Sequence, residues 1–252
     1  MFTVGCETMR CSYGSARSVH VTTQKWSTYG AIPGDGDCRT KSKASSPAYG
    51  STQPRCRVST SRPAGRRGRV VAMEEMMPLM TRATERTAEL VRAVRQDQLG
   101  LPTPCAEFDV KGLITHLEWV AALFESLGRN GPRVEQGPYA GDFPERAKAT
   151  LAAWSRPEAW EGTSPAMGLP MTTLGHMYLV DMVVHGWDLA RAIDREYEPD
   201  PEAVSRALHF TDRMVEMGRQ RGAFGPPVPV PDDAPPFARL LGVIGRDPAW
   251  TA

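Results

Sequence analysis

The sequence is poor in cysteine over most of its length. Of its five cysteines, only Cys105 lies after residue 72. A lone cysteine excludes a disulfide scaffold and a four-cysteine zinc module in that part of the chain, and it favours a reducing, cytoplasmic location. No apolar run approaches the roughly 18 residues of a membrane span, so we predict no membrane partner. The N-terminus also lacks the apolar stretch of a secretory signal.

Apolar residues are scarce at the start of the chain. Residues 1–72 contain no leucine and a single isoleucine, Ile32, and their 12 basic and 3 acidic residues give a net charge of +9. Residues 73–252 carry 18 basic and 26 acidic residues, a net charge of −8. Such a first segment cannot bury enough apolar surface to offset the entropy of ordering. We therefore predict that residues 1–72 are a disordered basic tail, either translated upstream sequence or non-native, with Met73 as the natural start.

Other interpretations of this tail stay open. Its cysteines lack the paired C-x-x-C spacing of zinc ribbons, although they are numerous. The basic run at residues 62–69 could contact nucleic acid, and the Arg- and Ser-rich, acid-poor composition is shared with transit peptides. The acidic balance of residues 73–252 argues against nucleic acid as a partner of the folded part.

From Met73 onward, apolar residues recur at intervals of three and four, which is typical of amphipathic helices. We find no internal repeat and no convincing strand pair, so we predict an all-α chain. The bundle core covers about residues 78–221, and a Pro-rich C-terminal extension covers residues 222–252. The predicted helices run from near Pro78 to near Gly100, from the N-cap Asp109 to Gly128, from Phe143 to Trp154, from Thr172 to Ile193, from Pro201 to Arg221, and from Pro236 to Gly245.

A candidate metal site lies in the second and fourth predicted helices. Asp181 and His185 are four residues apart, so on a helix they share one face and can direct two ligand atoms at the same point. His116 falls within the apolar stripe of the second helix and should point into the bundle. Two imidazoles and one carboxylate suit zinc and other divalent metals, and three protein ligands leave a coordination position open.

A bundle without metal is the competing interpretation. In it the histidines are ordinary core residues, and Asp181 and His185 form a buried acid–imidazole pair. Burying these groups is costly unless something compensates them, and a metal ion does so. Asp188, one turn beyond His185, could orient a ligand or bridge to Arg191 or Arg195. No catalytic acid or base and no cofactor-binding residue can be named from the sequence.

Three segments of the sequence form a recognisable set, namely Leu101-Pro-Thr-Pro-Cys-Ala-Glu-Phe-Asp-Val-Lys-Gly-Leu-Ile-Thr-His116, Asp181-x-x-x-His185-Gly-Trp-Asp-Leu-Ala-Arg191 and the ending from Phe224 to Trp250. They resemble the mycothiol-dependent maleylpyruvate isomerase N-terminal family, within the wider DinB-like metalloprotein group. The resemblance covers about residues 73–250 and is to a single-domain branch of the group. It implies an up-down-down-up four-helix bundle, here with a fifth helix, that binds one divalent metal, usually zinc, through His116, Asp181 and His185.

The sequence departs from the family pattern in two ways. The characterised isomerase has glutamate where this chain has Asp181, which is one methylene shorter. It also has an additional C-terminal domain that helps to form its active site. The resemblance therefore supports a metal site in this chain more directly than it supports the isomerase reaction.

The resemblance also implies a function. The implied function is that of a metal- and thiol-dependent isomerase or S-transferase. Its co-substrate would be mycothiol or another small thiol, and its substrate would be a small electrophile. The open metal position would hold the thiol as a thiolate, which would attack an electrophilic carbon. The alternative is a non-catalytic metal-binding or thiol- or metal-sensing module. A catalytic site should have its open position beside a cleft, whereas a non-catalytic site can be closed. Both a monomer and a homodimer are compatible with the sequence.

Overall fold

The computed structural model describes residues 66–251, and it confirms the all-α prediction for that part of the chain. The tail predictions for residues 1–65 lie outside the described residues. Between residues 66 and 251 we find only isolated β-bridges beside the helices. The helices are α1 (Arg66–Ala93), α2 (Val110–Gly128), α3 (Phe143–Trp154), α4 (Met171–Ala192), α5 (Pro201–Gln220) and α6 (Pro236–Val243).

None of the helices within residues 66–251 is both long enough and apolar enough to span a membrane. The predicted cytoplasmic location stays a prediction.

Helix α1 differs most from its prediction. It was expected to run from near Pro78 to near Gly100, but it begins at Arg66 and ends at Ala93, with Pro78 inside. Residues 66–72, assigned from sequence to the tail, are thus helical. An internal proline removes one helical hydrogen bond and costs about 3 kcal/mol. Burial of large apolar side chains on both sides of Pro78 offsets that cost, and these side chains are Met76, Leu79 and Met80.

Helices α2 and α3 run parallel and are joined by side-chain hydrogen bonds to backbone carbonyls. Thr150 Oγ1 donates to the Ala121 carbonyl at 2.8 Å, and Trp154 Nε1 donates to the Phe124 carbonyl at 2.8 Å. The partners advance along both helices in the same direction. Because a parallel pair needs a crossover, the long loop between Gly128 and Phe143 carries the chain back.

Helices α1 and α4 form the second parallel pair. Thr84 Oγ1 donates to the Tyr178 hydroxyl at 3.2 Å, and Thr87 Oγ1 donates to the Met182 carbonyl at 2.9 Å. The end of α1 packs against the start of α2, so the two pairs run in opposite directions. The bundle therefore has the up-down-down-up arrangement expected from the resemblance, and the cluster at this end includes Leu90, Val110, Leu113 and Leu189.

Two tryptophans fill the opposite part of the core. Trp154 and Trp160 meet edge to face with ring centroids 5.0 Å apart, and Trp160 Nε1 donates to the Trp154 carbonyl at 2.9 Å. Glycines on the neighbouring helices make room for the rings. A Cβ at Gly128 would lie 2.8 Å from Trp154, and one at Gly175 would lie 2.6 Å from Trp160. Helices α2 and α4 can therefore approach the indoles closely.

The C-terminal extension packs back onto the bundle. Helix α5 packs on α4, and α6 packs on α5. The Arg219 guanidinium donates to the Val243 carbonyl at 2.8 Å, which links α5 to the end of α6. Arg191 on α4 donates to the Trp250 carbonyl at 2.6 Å. These contacts bring the last described residues beside α4, where the candidate ligands lie.

Candidate metal centre

The fold brings the three predicted ligands together. His116 lies on α2, and Asp181 and His185 lie one turn apart on α4. One possible ligand atom from each residue lies within 4.8 Å of the others, and all three side chains are buried. Ligand atoms around a single zinc ion are separated by about 3–4 Å. Small side-chain movements would therefore let one ion contact all three.

Asp181 gives the clearest sign that this group of side chains suits a cation. Its Oδ2 is buried and has no hydrogen-bond partner. Burial raises the pKa of this carboxyl to about 7, against the opposing effect of the charges on His185 and Arg246. An unsatisfied buried polar atom costs about 1–3 kcal/mol. A divalent cation between Asp181 and the two imidazoles would satisfy this oxygen, so the residues present fit a metal.

His185 is oriented by a second carboxylate. Its Nδ1 lies 2.9 Å from Oδ2 of Asp188, which is fully buried. His185 therefore uses Nδ1 for Asp188 and not for Asp181, which weighs against the closed Asp181–His185 pair considered from sequence. Nε2 remains as the nitrogen available to a metal.

Asp188 is held by Arg246 as well as by His185. Burial alone would raise the pKa of Asp188, but the Arg246 guanidinium and the His185 ring outweigh it and hold that pKa below its ordinary value. The guanidinium partner is thus Arg246, whereas Arg191 or Arg195 was considered from sequence. Arg191 instead binds the Trp250 carbonyl.

Aromatic rings surround His116. Its imidazole stacks on Phe108 with ring centroids 5.1 Å apart, and the Trp119 ring is 5.6 Å away. The His185 ring approaches edge-on at 5.0 Å. Phe108 immediately precedes Asp109, whose carboxylate accepts from the Gly112 N–H at 2.7 Å and caps α2 as predicted. The cap therefore helps to place the ring that supports His116.

Comparison with known proteins gives two relatives from Mycobacterium tuberculosis. The chain is 33% identical over 184 residues to the uncharacterized protein Rv0738 of strain ATCC 25618 / H37Rv, and the match covers 68% of this chain and 98% of the relative. The uncharacterized protein MT0763 of strain CDC 1551 / Oshkosh matches with the same identity and coverage. Residues 80–140 match the mycothiol maleylpyruvate isomerase N-terminal domain family.

The chain belongs to this family. Membership places it among mycothiol-related proteins with the DinB-like metal-binding fold. No solved structure matches the chain. The matched residues 80–140 include His116 but neither Asp181 nor His185, so the fold joins the matched segment to the other two candidate ligands.

A pocket opens in the helical bundle beside the three candidate ligands. Rings and aliphatic groups from α2 and α4 form one wall, and residues of the C-terminal extension form the other. Sequence reasoning missed the second wall, because no local pattern marks residues so far along the chain. The extension contributes Ala223, Phe224, Ile244 and Arg246 to the lining.

The loop between α2 and α3 contributes Gln136 to this pocket, and two side chains of α2 hold the loop in place. The buried Glu118 carboxylate accepts hydrogen bonds from three successive backbone N–H groups at residues 140–142. Trp119 Nε1 donates to the Val134 carbonyl at 2.7 Å. These anchors hold the loop across the helix that carries His116, and they bring Gln136 to the pocket lining.

Cys105 lines the pocket but does not belong to the ligand group. Burial raises the pKa of its thiol to about 11. We expect alkylation of Cys105 by iodoacetamide at neutral pH to be slower than in the unfolded chain by roughly a hundredfold, since the thiolate is the reactive form. Peptide mass spectrometry of native and denatured protein measures this ratio. Equal rates would show a reactive thiol in the pocket.

Proposed function

We propose that this protein binds one divalent metal ion, zinc in the first instance, through His116, Asp181 and His185. With mycothiol or a similar small thiol as co-substrate, it then acts on a small electrophile as an isomerase or S-transferase. One observation carries the proposal. A buried carboxylate oxygen of Asp181 has no partner, although two imidazoles lie beside it.

The chain's residues have distinct parts in this proposal. His116, Asp181 and His185 would hold the divalent cation, which would supply a positive charge that favours the thiolate form of the co-substrate at neutral pH. Asp188 orients His185 for binding. Phe108 and Trp119 pack around His116 and support its ring.

The pocket beside the ligands supports catalysis over the sensor alternative. A structural zinc site is usually closed by four protein ligands, whereas the ligand group found within residues 66–251 has three members. The adjoining pocket has apolar walls and a few polar groups, which is typical of small-molecule sites. It places a small-molecule cavity next to the ligands, and its polar groups include Glu107, Gln136 and Arg246.

Cobalt substitution tests the thiol part of the proposal. We expect mycothiol added to the Co²⁺-loaded protein to produce a sulfur-to-cobalt charge-transfer band that saturates at about one thiol per site, because three protein ligands leave a position open. The Cys105→Ser variant should behave in the same way, which would show that the sulfur comes from the added thiol. An oxygen analogue of the thiol serves as the matched ligand control.

The absence of this band in the cobalt-loaded protein would contradict thiol coordination and favour the non-catalytic alternative. A positive result leads to turnover assays. Maleylpyruvate is the first electrophile to test, with and without thiol. Conversion that requires both the metal and the thiol is the expected outcome.

A further inference from the structure

Asp188 is a completely buried carboxylate that serves two partners. Its Oδ2 lies 2.9 Å from Nδ1 of His185. Arg246 contacts both carboxylate oxygens, with Nε 3.1 Å from Oδ1 and Nη2 3.3 Å from Oδ2. A buried carboxylate is costly unless a cation compensates it. Arg246 provides that cation beside the metal ligand.

The contact with Arg246 decides the direction of the hydrogen bond to His185. Guanidinium N–H groups can only donate, so both oxygens of Asp188 act as acceptors toward Arg246. As the ion-pair partner of Arg246, Asp188 is a carboxylate with no hydrogen to donate, so His185 Nδ1 carries the hydrogen and donates it to Asp188. This tautomer leaves the lone pair on Nε2, which is the form of imidazole that binds a metal.

Arg246 belongs to the C-terminal extension, and the backbone turn at Gly245 places it beside Asp188. Gly245 has a φ of 87°, in the left-handed region that favours glycine. A Cβ at Gly245 would lie 2.7 Å from the Pro226 carbonyl oxygen, so the backbones pass too closely for a side chain. The Arg246 N–H donates to the Leu241 carbonyl at 2.8 Å, which closes the end of α6.

We propose that Arg246 is a positioning residue for the metal centre. It holds Asp188, and through Asp188 it sets the tautomer and orientation of His185. The C-terminal extension thereby controls metal affinity from 58 residues further along the chain. This inference rests on the proposed metal function and identifies a residue that tunes it.

Metal affinity of the full chain, measured by competition with a chromophoric zinc chelator, tests the inference. Arg246→Met should weaken zinc binding by about 10- to 100-fold, the usual effect of losing an outer partner of a ligand. Arg246→Lys should fall between this variant and wild type, because lysine keeps the charge but lacks the two-nitrogen fork. The His185→Ala chain measures any zinc that is held elsewhere.

Arg191→Met is the matched control. It removes another arginine contact between α4 and the extension, the one to the Trp250 carbonyl, and leaves the Asp188 contacts in place. This variant should bind zinc as tightly as wild type. Unchanged affinity in Arg246→Met would overturn the proposal. So would an equal loss in Arg191→Met, because the effect would then come from general loosening of the extension.

Nitrogen NMR of the His185 ring in metal-free protein separates this inference from the metal proposal. Wild type should show a single tautomer with the hydrogen on Nδ1, and Arg246→Met should lose that single tautomer. If the tautomer changes as expected but wild type binds no metal, the proposed function fails and the positioning role stands. If wild type binds metal and Arg246→Met keeps the wild-type tautomer, the positioning role fails.

Discussion

Replacing His185 with alanine should reduce the metal content of the purified protein from about one equivalent to less than about a tenth of that, because two remaining ligands hold zinc poorly. His116 and Asp181 would stay in place on α2 and α4. Elemental analysis of wild type and variant, after identical dialysis, measures the change. A folded wild type that takes up no metal, even after divalent ions are added back, would contradict the metal site.

Two other histidines provide controls for this experiment. His176 lies on the same helix as His185, but its Nδ1 is 2.7 Å from the Thr172 carbonyl oxygen and its ring stacks on Phe210. It is half-buried and outside the ligand group. His209 is exposed on α5. Alanine at either position should leave the metal content unchanged.

Replacing Asp181 with asparagine should stabilise the metal-free protein at neutral pH while it removes metal binding. The unfolded chain releases the Asp181 proton near pH 4, whereas burial raises the pKa in the folded protein to about 7. The folded state therefore binds more protons between these values, and the free energy of unfolding falls as pH rises from about 4 to about 7. The Asp181→Asn substitution should raise the free energy of unfolding of the metal-free protein by on the order of 2–4 kcal/mol at pH 8.

Denaturant unfolding with a chelator present, at pH 5 and at pH 8, measures this difference. The gain from Asp181→Asn should be small at pH 5 and large at pH 8, and Asp212→Asn, an exposed substitution on α5, should show no such pH dependence. A gain that is equal at both pH values would contradict the explanation. With saturating zinc, wild type should become more stable than Asp181→Asn, since only wild type gains binding energy from the ion.

Helices with local signals were predicted well. The bounds of α3 were predicted as observed, and Asp109 caps α2 as expected from its type and place. Such signals involve residues within one or two turns of each other. The start of α1 was wrong because Pro78 indicates a helix start locally. Burial of the helix face around it depends on α4 and α3, which no local pattern reveals.

The candidate ligands required different amounts of structural information. Helical spacing alone predicts that Asp181 and His185 share a face. The apolar stripe of α2 predicts that His116 points inward, but it does not predict which helix it meets. The packing of α2 beside α4 brings the three ligand atoms within 4.8 Å.

The sequence by itself determined the helix content, the boundary at α2, and the two-helix origin of the candidate ligands, because hydrophobic periodicity and capping act over a few residues. Only the tertiary structure decided that Asp188 pairs with Arg246 and that Phe224 and Ile244 close the pocket. Those contacts join residues dozens of positions apart. Their formation depends on where the C-terminal extension packs, and no spacing in the chain encodes that position.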